Sequence, residues 1–241
     1  MTATVLYISI IGTPDKYDPA DFADLPDSGD DGRWVRNRLD EWGVLDQLGF
    51  RVVYVTQGET LPELDGIDAV IVGGSVHSVN ENQPWQRDVF AWLARWRSTG
   101  RPALGICGGH QMMSVMGGVV VAPRANGAMC ASGPIDFTPA GRSHALFDGF
   151  DAAPWFHSGN TDHVVAAPAG SVVLATVADS PAMALDHGGG WLSVQFHPEA
   201  RHDVSARHWL HSAPHNMANY SALPQAPRVL VNFLRLGGLI D

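Results

Sequence analysis

Short apolar runs alternate with longer amphipathic stretches along this chain of 241 residues. Runs of four or more mainly apolar residues predict buried β-strands. The predicted strands are Val5–Ile11, Val52–Val55, Ala69–Val72, Ala103–Ile106 and Leu192–Phe196. Strands that alternate with helical stretches are typical of a mainly parallel sheet with helices on both faces. The pattern therefore predicts a single α/β domain over residues 1–241, with three αβα layers around an open sheet.

Apolar residues at helical spacing predict the helices between these strands. The two clearest stripes consist of Trp34, Val35, Leu39, Trp42 and Leu45, and of Trp85, Val89, Leu93 and Trp96. Pro84 falls where the second of these helices begins, a position that proline favours. Further helices are expected over His110–Met116 and Arg228–Leu236. We interpret the tryptophans as packing between helix and sheet rather than as a ligand cage.

Composition excludes several classes of protein. The hydrophobic content is 45% and the net charge is -10, which favours a globular chain and argues against a nucleic-acid surface. No apolar run reaches the roughly 20 residues that a membrane span needs. The first residues carry no basic region before their apolar stretch, which we read as a strand, and a cytoplasmic location is expected. Two cysteines are too few for a disulfide framework.

Two stretches that follow strands are long. The acidic loop, residues 12–32, holds seven aspartates against one lysine, which is more than half of the net charge. The second stretch, the 200–227 segment, precedes the last helix. In open parallel sheets ligands bind beyond the carboxyl ends of strands. We therefore expect both stretches to shape the mouth of a site that favours a neutral or basic ligand or partner, the alternative being solvated surface.

The most informative residue is Cys107, in the run Pro102-Ala-Leu-Gly-Ile-Cys-Gly-Gly-His-Gln111. Small residues on both sides of the cysteine allow the sharp strand-to-helix turn that exposes a nucleophile. Ninety residues later, Val194-Gln-Phe-His-Pro-Glu199 places a histidine and a carboxylate just past another strand. A thiol needs a nearby base, and that base needs a group that fixes its tautomer. Cys107, His197 and Glu199 supply these three residue types.

These two segments together resemble the class I, triad-type glutamine amidotransferases, and Gly73-Gly-Ser75 resembles the oxyanion loop of that family. The resemblance covers about residues 5–236 and implies a flavodoxin-like fold. It implies that Cys107 is the nucleophile, His197 the base and Glu199 its orienting group. It also implies that the amides of Gly74 and Gly108 stabilise the oxyanion and that Gln111 contacts the substrate, with no cofactor and no metal.

The chain also departs from the family pattern. The acidic loop and the 200–227 segment look like insertions, at about residues 12–32 and 200–227. Residues 123–130 lack the carboxylate or histidine that commonly helps to hold the substrate, and residues 155–162 match the usual His-x-Asp stretch only loosely. These differences concern the identity of the amide substrate and leave the acid–base residues intact.

Three functions remain open. The first is a stand-alone glutaminase that supplies ammonia to a separate synthetase, as in the branch that resembles the amidotransferase domain of GMP synthetase. The second is a γ-glutamyl amide hydrolase that needs no partner. The third, less favoured, is a non-catalytic binding module. The sequence lacks a Gly-x-x-x-x-Gly-Lys phosphate loop, so we expect no activation of an acceptor with ATP by this chain itself.

Four histidines crowd the 200–227 segment: His202, His208, His211 and His215. Pro214 interrupts any helix that would align them, and carboxylate or cysteine company is sparse. We interpret them as surface histidines rather than as a metal site. Cys130 is expected to be a small packed or partly exposed residue.

Overall fold

The computed structural model describes residues 2–241, which contain twelve β-strands and six α-helices. The strands are β1 (Ala3–Ser9), β2 (Leu48–Tyr54), β3 (Ala69–Val72), β4 (Ala103–Ile106), β5 (Val121–Pro123), β6 (Met129–Pro134), β7 (Asp136–Phe137), β8 (Trp155–Asn160), β9 (Asp162–Val164), β10 (Val172–Val177), β11 (Ser180–Asp186) and β12 (Trp191–Val194). The helices are α1 (Asp31–Glu41), α2 (Pro84–Arg97), α3 (Gly108–Met116), α4 (Pro139–Arg142), α5 (His202–Arg207) and α6 (Arg228–Leu236).

Eight strands form one sheet in the order β2-β1-β3-β4-β12-β11-β10-β7. The first five strands run parallel to one another, and β11, β10 and β7 continue the sheet in antiparallel fashion. Two small antiparallel sheets, β5 with β9 and β6 with β8, lie outside it. The predicted mainly parallel αβα fold is confirmed.

The sheet is buried on both faces because successive strand residues point to opposite sides. On β1, Val5 and Tyr7 join one core with residues of α1 and α6. Leu6 and Ile8 join the other core with residues of α2 and α3. Full burial on both faces explains why the central strands are almost continuously apolar.

The predicted strands and helices are present with shifted ends. β1 stops at Ser9, β2 begins earlier, at Leu48, and β12 covers Trp191–Val194 only. The first apolar stripe is divided: α1 ends at Glu41, and Leu45 lies in the separate short helix Leu45–Gln47. Gly43 adopts φ 66°, a left-handed conformation that ends helices. Pro84 does begin α2.

The tryptophans of α2 pack as expected. Trp92 and Trp96 are buried and stacked, with ring centroids 5.2 Å apart, in the core between α2 and the sheet. Trp34 of α1 is equally buried but also lines a cavity, so the packing interpretation is incomplete for this residue. Across residues 2–241, none of the helices is long and apolar enough to cross a membrane.

The acidic loop and the 200–227 segment contact each other beside the sheet. The Arg207 guanidinium binds the Asp24 carboxylate at 2.8 and 2.9 Å and donates to the Asp21 carbonyl oxygen at 2.7 Å. His211 also contacts the Asp21 carboxylate, at 2.9 Å. A separate apolar cluster lies beneath these polar contacts: Ile11, Tyr17, Phe22, Trp34, Ala200 and Val204.

Candidate active site

A cavity of about 420 Å³ lies at the carboxyl edge of the parallel strands. Five of the six residues that the sequence predicts to take part in the chemistry line this cavity: Gly74, Cys107, Gln111, His197 and Glu199. The exception, Gly108, follows Cys107 directly. Residues from the acidic loop and from the 200–227 segment complete the walls. The structure therefore gathers positions that are more than a hundred residues apart in the chain.

Cys107 occupies a strained turn between β4 and α3. Its backbone has φ 49° and ψ -98°, a region that non-glycine residues rarely adopt. A Cβ on Gly105 would approach the backbone of Gly109 to 2.6 Å, and one on Gly109 would overlap the Val72 carbonyl oxygen. Only glycines allow β3, β4 and α3 to approach this closely. The turn is held by the Cys107 amide, which donates to the Val194 carbonyl oxygen at 2.8 Å.

His197 and Glu199 lie just beyond β12 and form a hydrogen-bonded pair. Nδ1 of His197 is 2.8 Å from Oε1 of the buried Glu199. Burial alone lowers the pKa of His197, but the negative charges of Glu199 and Cys107 outweigh it, aided by hydrogen bonds to both groups. The pKa of the imidazole is therefore raised well above its ordinary value. This arrangement favours the charged form of the His197 imidazole.

Gly74 brings a backbone amide to the same place. A Cβ built on Gly74 would lie 3.0 Å from Cε1 of His197 and 3.6 Å from Cβ of Cys107. Within residues 2–241, neither the Gly74 amide nor the Gly108 amide donates to any protein acceptor. Gly108 is the first residue of α3, so its free N–H lies at the positive end of that helix. Two such donors can bind an oxygen that gains negative charge.

Gln111 is buried in the cavity wall. Its Nε2 donates to the Asp162 carbonyl oxygen at 3.1 Å and to Oε1 of Gln195 at 3.2 Å. The side chain is therefore fixed before any ligand arrives. Gln111 is not on an exposed helix surface, because α3 is buried over most of its length.

The two other histidines near the site are held elsewhere. His110 contacts Oγ of Ser193 at 2.7 Å, and burial, followed by the charge of His187, lowers its pKa to about 3. His157 contacts Oγ of Ser132 at 2.9 Å, and burial, followed by the charge of His197, lowers its pKa to about 4. Neither lines the cavity. His197 is the histidine next to the thiol.

Asp31 is a site residue that sequence reasoning missed. It is 2% exposed, lines the cavity, and accepts hydrogen bonds from Tyr7 at 2.9 Å and from Ser9 at 2.7 Å. Burial raises its pKa to about 7 despite these hydrogen bonds, and the charges of Asp30 and Glu199 add to the increase. The available signal was the pair Tyr7 and Ser9, which alternation along β1 places on one face.

The interpretation of the 200–227 histidines as surface residues needs correction. His211 and His215 are exposed, but His202 and His208 are half-buried. His208 packs against Tyr17, Phe22 and Trp34, because the acidic loop folds over it. No group of three or more His, Cys, Asp or Glu residues within 2–241 is arranged to hold a metal ion. Cys130 is buried away from the cavity, and burial raises its pKa.

The family model "Glutamine amidotransferase class-I" matches residues 42–215, well over half of the chain. The chain belongs to the class I glutamine amidotransferases. This confirms the family to which the Cys107 and His197 segments pointed.

The chain is similar to one subunit of a GMP synthase (glutamine-hydrolyzing) from Sulfolobus acidocaldarius, with 28% identity over 161 residues. The alignment covers 66% of this chain and 81% of that protein. A GMP synthase from Aeropyrum pernix is 29% identical over 195 residues, covering 80% of this chain and 34% of that protein. The chain thus spans about a third of the length of this second relative.

Solved structures share the fold at low sequence identity. A glutamine amidotransferase from Thermotoga maritima has a TM-score of 0.69 at 17% identity, covering 99% of this chain and 95% of that one. A glutamine amidotransferase from Methylobacillus flagellatus has a TM-score of 0.66 at 14% identity, covering 98% of this chain and 91% of that one. These likenesses agree with the three-layer αβα architecture.

Proposed function

We propose that this amidotransferase hydrolyses the side-chain amide of glutamine through a γ-glutamyl thioester on Cys107. One observation carries the proposal: the strained Cys107 stands beside His197, and the other ring nitrogen of His197 is bound by the buried Glu199 at 2.8 Å. A nucleophile, a base and an orienting carboxylate in this order can carry out acyl transfer.

In the first half of the reaction, His197 takes the thiol proton and the Cys107 sulfur attacks the amide carbon. The amides of Gly74 and Gly108 bind the resulting oxyanion, and one such donor is worth about 100- to 1,000-fold in rate. The carbon–nitrogen bond then breaks, and His197 gives its proton to the leaving nitrogen. Ammonia departs, and the thioester remains on Cys107.

In the second half, His197 takes a proton from water and the resulting hydroxide attacks the thioester carbon. The same two amides bind the oxyanion again. The carbon–sulfur bond breaks, glutamate leaves, and the sulfur of Cys107 recovers the proton through His197. Glu199 keeps the imidazole in one tautomer and stabilises its charged form throughout.

We propose further that the released ammonia passes to a separate synthetase, and the names of two similar proteins support this. The Sulfolobus relative is named as one subunit of a GMP synthase, which makes it part of a larger assembly. PurLQS from Thermotoga maritima is another fold neighbour. The sequence also lacks a phosphate-binding loop with which this chain could activate an acceptor.

A second candidate, partner-independent hydrolysis of a substituted γ-glutamyl amide, is supported by the cavity. None of residues 123–130, where the chain departs from the family pattern, lines its walls. Arg124 instead forms an ion pair with Asp179 at 2.6 Å. The walls are supplied in part by the acidic loop and the 200–227 segment.

The test is glutamate release from glutamine by the wild type, Cys107→Ala and Cys130→Ala. We expect activity in the wild type and in Cys130→Ala, the matched control, and none in Cys107→Ala. Turnover of glutamine that rises when a synthetase is added favours ammonia transfer, while rapid partner-free cleavage of a substituted amide favours the second candidate. Activity that survives in Cys107→Ala contradicts both.

A further inference from the structure

Tyr7 places a buried hydroxyl under the loop that carries the Gly74 amide. Its side chain is fully buried and reaches the cavity wall from β1. The hydroxyl oxygen fills the space beside Gly73 that a side chain would need, since a Cβ on that glycine would overlap it. The phenol of Tyr7 and the backbone of Gly73 are therefore in direct contact.

Asp31 fixes the direction of that hydroxyl. Its Oδ2 accepts a hydrogen bond from the Tyr7 hydroxyl at 2.9 Å, and its Oδ1 accepts one from Oγ of Ser9 at 2.7 Å. A Cβ on Gly73 would lie 3.3 Å from Oδ2, so the carboxylate is close to the same glycine. Because Ser9 holds the second oxygen, the carboxylate cannot turn away from Tyr7 without losing a buried hydrogen bond.

Backbone hydrogen bonds hold Gly73 but stop short of Gly74. The Gly73 amide donates to the Ile8 carbonyl oxygen at 3.0 Å, and the Gly73 carbonyl oxygen accepts from the Gly109 amide at 2.9 Å. The Gly74 amide donates to no protein acceptor within residues 2–241. Its position therefore depends on how firmly the residue before it is supported.

On its other side, Gly74 faces the groups proposed to react. A Cβ on Gly74 would lie 3.0 Å from Cε1 of His197 and 3.6 Å from Cβ of Cys107. The loop is thus packed between Tyr7 on one side and the nucleophile and base on the other. A misplacement of about 1 Å in such a site can cost about 100-fold in rate.

We propose that Tyr7 and Asp31 are a positioning pair for the oxyanion site. Asp31 holds the Tyr7 hydroxyl against Gly73, and that contact keeps the Gly74 amide where the tetrahedral oxygen forms. This proposal rests on the Cys107 chemistry above. Neither member of the pair forms a bond or moves a proton in the reaction. Their effect is made where charge develops on the oxygen, so it falls on kcat rather than on KM.

The test measures kcat and KM for glutamine in Tyr7→Phe, in Asp31→Asn and in the double variant. We expect Tyr7→Phe to lower kcat by about tenfold or more and to change KM by less than about twofold. Asp31→Asn lowers kcat by about fivefold, because its amide nitrogen replaces one of the two acceptor oxygens. Since both residues act through one contact, the double variant has about the kcat of Tyr7→Phe rather than the product of the two losses.

Two controls separate positioning from general damage. The Tyr54 hydroxyl donates to Asp30 at 2.9 Å, so Tyr54→Phe removes the same kind of bond one residue away, outside the cavity wall, and leaves kcat unchanged. The second control is alkylation of Cys107 by iodoacetamide, in which the sulfur displaces iodide. That reaction develops no charge on an oxygen bound by Gly74, so its rate in Tyr7→Phe stays within about twofold of wild type.

The outcomes separate this proposal from the function beneath it. A wild-type kcat in Tyr7→Phe or in Asp31→Asn, or losses that multiply in the double variant, overturns the positioning pair and leaves the Cys107 chemistry standing. Alkylation that slows in parallel with kcat also overturns it, because the damage then lies in the Cys107 and His197 pair. Denaturant unfolding checks that each variant is folded, and Asp31→Asn alone decides if Tyr7→Phe does not fold. Glutamate release that persists in Cys107→Ala overturns the proposed function itself.

Discussion

The hydroxyl of Tyr7 donates a hydrogen bond of 2.9 Å to the carboxylate of Asp31 and so ties β1 to the first residue of α1. The same hydroxyl lies so close to Gly73 that a Cβ on that glycine would overlap the Tyr7 oxygen. Gly73 precedes the amide of Gly74. The pair thus supports the loop beside Cys107 from beneath.

Asp31 makes the stability of the fold depend on pH. Because burial raises its pKa to about 7, the folded state holds a proton that the unfolded chain releases near pH 4. The resulting stability is present below about pH 4 and is lost as the pH rises to about 7. It amounts to about 4 kcal/mol. Asp31→Asn removes this dependence, so the variant gains stability relative to wild type across that range.

Urea unfolding at pH 4, 5.5 and 8 measures this difference. Subtracting one curve of unfolding free energy against pH from the other cancels the contribution of the histidines, since both proteins contain them. Asp65→Asn serves as a matched control at an exposed site. A constant difference between wild type and Asp31→Asn would show that Asp31 does not carry the raised pKa.

The sequence predicted the nucleophile turn and the parallel strands because each depends on local residue patterns. The small residues Gly105 and Gly109 on either side of Cys107 predict the sharp turn. The parallel strands are predicted because buried strands are almost continuously apolar. The antiparallel half, β7, β10 and β11, was not predicted. Apolar content does not single out these strands, because β10 (Val172–Val177) is almost entirely apolar in sequence and yet is buried only at Leu174 and Ala175.

The role of Asp31 and the burial of His208 could not be predicted for a different reason. Both depend on how the acidic loop folds back, which is a long-range contact. A carboxylate at a helix start is ordinarily a solvated charge that favours the helix dipole. Tyr7 and Ser9 reach Asp31 only in the folded chain. The same is true of the contacts that Tyr17, Phe22 and Trp34 make with His208.

Gly109 is required by the close approach of α3 to β3. We expect Gly109→Ala to lower the free energy of unfolding by about 3 kcal/mol or more, because its Cβ meets the Val72 backbone rather than a movable side chain. Gly133→Ala is the control, since nothing lies within 4 Å of a Cβ there. Denaturant unfolding of both variants checks this. Equal small changes in the two would mean that the turn is not closely packed.

Glu199 sets the protonation of His197. Its negative charge is the largest influence that raises the pKa of that imidazole against the effect of burial. Glu199→Gln therefore lowers the pKa, so the alkaline limb of kcat/KM for glutamine moves to lower pH. The rate decreases by about 100- to 10,000-fold, less than for loss of Cys107. The exposed Glu63→Gln is the control, and an unmoved alkaline limb in Glu199→Gln would contradict the assignment.

The thioester on Cys107 distinguishes this mechanism from direct attack by water, and it can be trapped. The protein is mixed with glutamine, quenched in acid within the first turnovers, digested, and analysed by mass spectrometry. We expect a γ-glutamyl adduct on the peptide that contains Cys107, and labelling of the same residue by a diazo-ketone analogue of glutamine. An adduct or label on Cys130 with Cys107 unmodified, while glutamate is still released, would contradict the mechanism.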